Sequence, residues 1–68
     1  MAQLESDRDM VRRHVAEGEH HVALQQRIIG HIRDRGGSTT MAEDLLTAFE
    51  QTLGAHRAHL ERLERVVE

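Results

Sequence analysis

Six histidines, 12 carboxylates, nine arginines and no cysteine make up the reactive inventory of this 68-residue chain. Imidazoles are the groups best suited to hold a metal ion, because the lack of cysteine removes both thiolate ligands and disulfides. In "HRAH", His56 and His59 lie one helical turn apart, and His14 and His21 fall near the same level if the chain doubles back on itself. Two histidines from each of two helices could give zinc its four nitrogen ligands, or could hold copper. The pattern places no carboxylate behind them to orient the rings. The alternative is a set of neutral imidazoles hydrogen-bonded within a helical core. The stretch "EGEH" has the Glu-x-x-His spacing of di-iron bundles, but Glu17 and His20 fall on outward columns of their helix. No nucleophile stands beside a base, and capping accounts for the serines and threonines near the helix starts. The expected protein is not an enzyme and carries no cofactor.

The elements that would position these residues are helices. Proline is absent and Phe49 is the one aromatic residue, which leaves little material for a sheet. The turn cluster "RGGSTT" divides two periodic segments, predicting a single all-α domain: an antiparallel hairpin with a helix over residues 6–35, a loop at 36–39 and a helix over 40–67. Ser6 can cap the first helix, with Asp7 and Asp9 at the positive end of its dipole. Gly36 can end that helix in a left-handed conformation. Thr40 and Glu43 have capping-box spacing for the second helix, with Ser38 or Thr39 as alternative caps.

The packing face of the first helix holds two heptad columns, Leu4, Val11, Gly18, Gln25 and Ile32 beside Arg8, Val15, Val22 and Ile29, flanked by His14, His21 and Ile28. The second helix carries three columns: Ala42, Phe49, His56 and Leu63; Leu45, Thr52, His59 and Val66; Leu46, Leu53, Leu60 and Val67. One partner helix covers two columns, so the column of Leu53 is expected to need a further neighbour. A chain this short also rarely buries a sufficient core alone. Together these predict a homodimer closing into a four-helix bundle, with Val15, Val22, Gln25, Ile29, Leu46, Phe49, Leu53 and Leu60 in the dimer core. Folding about Gly37 would set Gly18 against His56, Val15 against His59 and Gln25 against Phe49. Histidines enclosed there disfavour the imidazolium, so the dimer is expected to lose stability in acid.

A net charge of −3 disfavours nucleic acid and anionic membranes as partners. No run is apolar enough to cross a bilayer, and the start of the chain lacks the order of a signal peptide, so the expected location is the cytoplasm. The expected function is protein–protein interaction by a small dimeric helical protein whose partner the residues do not identify. Histidine-mediated zinc or copper binding is the alternative.

From residue 14 to residue 63 the chain resembles a group of short, uncharacterised helical proteins of alphaproteobacteria. The similar features are "EGE" with a following histidine, the glutamine at 25 or 26, the glycine-containing loop ending in threonine, "AEDLL" and the His-x-x-His-Leu ending. This resemblance implies a bacterial origin and no particular activity. In size and hairpin shape the chain is also similar to the plasmid RNA-binding protein Rop, although no motif is shared and the acidic balance argues against RNA.

Overall fold

A computed structural model describes residues 5–66, which form two long helices joined by a short loop and contain no strand. Helix α1 spans Asp7–Asp34 and helix α2 spans Thr40–Val66. Residues 4 and 67, which the heptad pattern would add to the seam, lie outside the described residues.

Local chemistry fixes the ends of α1. The Ser6 hydroxyl oxygen accepts from the Asp9 N–H at 3.1 Å, satisfying one of the amides that a helix start leaves free. At the other end Gly36 takes φ 74°, and its N–H donates to the Arg33 carbonyl while that of Gly37 donates to Ile32, both at 3.0 Å. This pair of reversed bonds is a Schellman closure, and a side chain at Gly36 would strain it. Gly37 is required for a different reason: a Cβ there would stand 2.9 Å from Ile32 Cγ2.

The second helix departs from the expected capping box. Its first backbone bond runs from the Glu43 N–H to the Thr39 carbonyl at 2.8 Å, and the Thr39 hydroxyl donates to the Glu43 carboxylate. Thr39, the alternative cap, therefore flanks the helix, and Thr40 is its first residue.

The seam alternates three- and four-residue steps, from Val11 to Ile32 on α1 and from Ala42 to Leu63 on α2. Val11, Ile29 and Leu53 are buried, and so is Gln25, whose side-chain amide donates to the Ala42 carbonyl at 2.8 Å. That bond ties α1 to the first turn of α2 and occupies a polar group that would otherwise be costly to enclose. Near the open end the seam reaches Arg8, whose Nε is buried with no hydrogen-bond partner among the described residues.

Two expectations about the seam are corrected. The hairpin pivots near residue 35 and not at Gly37: His14 meets His56 and His21 meets Phe49. Gly18 accordingly faces Leu53, and Gln25 reaches Ala42 and not Phe49. The closure at Gly36 turns the chain earlier than a loop centred on Gly37 would. The column left without a partner also differs. Leu53 is only 5% exposed because α1 presents Gly18 to it, whereas Leu45 and Thr52 are exposed and His59 is half-buried.

Candidate functional site

The two broad surfaces of the hairpin differ in character. On the first, ion pairs cross between the helices: Arg12 to Glu64 at 3.1 Å and Arg57 to Glu19 at 2.9 Å. Arg57 therefore reaches across the seam. All four side chains are about half exposed, so each bridge contributes roughly 0.2–1 kcal/mol. Each arginine reaches along the seam as well as across it to meet its glutamate.

On the opposite surface the flanking columns are His14, His21 and Ile28 on α1, with Leu45, Thr52 and His59 on α2. They contain no carboxylate and no arginine. Towards the loop this surface turns openly apolar: Leu24, Ile28 and Leu45 are 44%, 40% and 46% exposed, and Met41 is 86% exposed. Towards the open end it forms a shallow groove lined by His14, Glu17, Gly18, His21, Phe49, Thr52 and His56. Gly18 helps to open the groove, because the helix has no side chain at that level.

No family model, curated protein or solved structure matches the chain. What the surface can do must be read from its own residues.

Of the eight residues assigned to a dimer core, Gln25, Ile29 and Leu53 are already enclosed by the hairpin itself. Val15, Val22, Leu46, Phe49 and Leu60 are half-buried in the seam. The most exposed apolar side chains lie beside that set. Periodicity marks Ile28 as a flanking position of the first helix and Leu45 as a member of the three-column stripe of the second, and Leu24 and Met41 stand one column further out.

The four candidate metal ligands are only partly brought together. The rings of His14 and His56 approach to 5.0 Å between centroids with planes inclined at 48°. His21, one turn nearer the loop, instead packs edge-on against Phe49 at 5.6 Å. Among the described residues no three histidines or carboxylates converge on a common point where a metal ion could sit. The hairpin by itself thus assembles a pair of imidazoles and not a quartet. None of the six histidines is fully enclosed, so the burial on which acid sensitivity was predicted is not present in the single hairpin.

Beside the groove, Arg13 holds Glu5 in a forked contact, its Nη2 at 2.9 Å and its Nε at 3.3 Å from the two carboxylate oxygens, and reaches Glu17 at 3.5 Å. The hydrogen bonds from Arg13 draw the Glu5 carboxyl below its usual range and push the guanidinium up. Among the described residues no helix is long and apolar enough to cross a membrane.

Proposed function

We propose that the chain is a non-enzymatic assembly protein of the cytoplasm: two hairpins pair through the surface opposite the interhelical ion pairs into a four-helix bundle, and the bundle acts by binding another protein. The contrast between the two surfaces carries this reading. One is occupied by ion pairs, while the other exposes Leu24, Ile28, Met41 and Leu45 as a continuous apolar patch of the kind that marks an interface.

The position of the patch favours one orientation. All four residues belong to the half of the hairpin nearest the loop. A two-fold axis parallel to the helices brings both loops to the same end and sets Leu24 and Ile28 of one copy against Met41 and Leu45 of the other. An axis across the helices would instead lay the patch on His59 and Arg62 near the open end. A second copy is thus the occupant whose chemistry matches the patch at every level.

Sedimentation and native mass measurements on the parent chain and on a Leu24→Gln, Leu45→Gln double variant test the proposal. The parent is expected to be a dimer and the variant a monomer of unchanged helix content, since both side chains are exposed in the hairpin. A parent chain that stays monomeric at every concentration, or a variant that stays dimeric, would overturn it.

A further inference from the structure

We infer that His14 and His56 form half of a binding site for a borderline divalent ion such as zinc, completed by the same two residues of a second copy. The inference rests on the side-by-side dimer proposed above.

The spacing of the rings is compatible with a shared ion. An imidazole centroid lies about 1.1–1.2 Å behind its ligating nitrogen, so two rings on one tetrahedral zinc, with bonds of about 2.0–2.1 Å, have centroids about 5.2 Å apart. The His14 and His56 centroids are 5.0 Å apart. The two residues come from different helices, both are half-buried, and both line the same open groove. The arginines next to the pair in sequence are both engaged by carboxylates, Arg13 by Glu5 and Glu17 and Arg57 by Glu19, and those contacts offset their positive charge. Two nitrogens alone leave a tetrahedral ion half-coordinated.

Symmetry supplies the other half. The axis that lays the apolar patch on its counterpart also keeps residues of equal height together, and it places α1 of one copy across from α2 of the other. His14 then faces His56 of the second copy, and His56 faces its His14, giving four imidazoles around the axis. With an axis crossing fully overlapped helices at mid-length the two pairs would lie at different heights and could not share an ion. His59 and His20 are not part of the set.

The test loads chelator-treated protein with zinc chloride and counts bound ions by native mass spectrometry. Cobalt(II) serves as a second probe, because its visible absorption reports tetrahedral nitrogen coordination. One ion per two chains is expected, with a raised Tm and an intense cobalt spectrum. His14→Asn and His56→Asn should each weaken zinc binding by at least about 100-fold, since each removes two of the four ligands. His59→Asn should leave it unchanged. The inference is overturned by one ion per chain, by no bound ion, or by binding indifferent to both substitutions. Should either variant fail to fold, the stoichiometry and cobalt spectrum of the parent still decide. Failure of the dimer is separately visible: a dimer that takes no zinc removes only the metal site, whereas a chain monomeric with and without zinc removes the dimer.

Discussion

Replacing the helix-interior glycines with alanine tests both the hairpin contact and the choice of surface. Gly30 and Gly54 sit on the ion-paired side, and a Cβ built at either meets nothing within 4 Å. In an open helical site alanine is worth about 0.8–1.0 kcal/mol over glycine, mainly through the lost freedom of the unfolded chain. The two sites lie on different helices and share no neighbour, so the double variant should gain about 1.6–2 kcal/mol. For a domain of this size that is roughly a 6–16 °C rise in Tm. Gly18 is the contrast. Its Cβ would stand 3.0 Å from Leu53 Cδ1, and Leu53 is buried, so a core methyl must give way by several tenths of an ångström. Overpacking of this kind typically costs about 1–3 kcal/mol and cancels the helical gain. Thermal melts followed by circular dichroism at one fixed protein concentration should therefore place Gly18→Ala at least about 1 kcal/mol below Gly54→Ala. Equal gains at the two sites would mean that α1 and α2 do not approach at Gly18. A loss at Gly30 or Gly54 would mean that the ion-paired surface is itself packed against something, and the dimer surface would have to be reassigned.

Three other perturbations probe single contacts. Gln25→Glu removes the donor to the Ala42 carbonyl and encloses a carboxylate, so it should cost about 2–4 kcal/mol at neutral pH. Burial raises the pKa of such a carboxyl, so stability should return below its unfolded pKa and be lost as pH rises through the folded one; a denaturation midpoint flat with pH would contradict this. Leu53→Ala should cost about 2–5 kcal/mol by opening a cavity beside Gly18, while the mass measured well below the melting transition stays that of the parent. A variant of parental stability but halved mass would return Leu53 to the dimer core. The Glu5 carboxyl, drawn down by Arg13, should titrate below an ordinary glutamate by NMR, and Arg13→Gln should bring it back. Because the folded pKa is the lower one, this contact supports the fold above the unfolded pKa and fades as pH falls through the folded value. An unmoved Glu5 titration in the variant would discount the contact.

What the sequence could reveal followed the range of the interactions involved. Ser6 and Gly36 act within four residues of themselves, and their signals were readable directly as a cap and a left-handed closure. The register between helices depends on where the chain turns, and a pivot near residue 35 in place of residue 37 moves the level of α2 against α1 by about four positions, or about 6 Å. Gly18 was thereby matched with an imidazole when its partner is Leu53. The three-column stripe on α2 showed that some column would lack a partner, but periodicity alone could not say which. The choice depends on Gly18 admitting Leu53 and on Arg57 and Arg12 finding glutamates across the seam. The histidine quartet failed for the same reason: a one-turn error in level leaves His21 with Phe49 and leaves His14 and His56 as a pair.

The ion pairs on the first surface also bear on how far assembly can proceed. A fibre or an open lattice needs subunits with two adhesive sides, so that each addition leaves a fresh one for the next. Here Arg12, Glu19, Arg57 and Glu64 hydrate one side and pair with each other across it, presenting little that an incoming hairpin could dehydrate at a profit. In the proposed pair these four side chains would lie on the outside, and growth would terminate at two, which predicts one dimeric species and no ladder of larger ones in sedimentation.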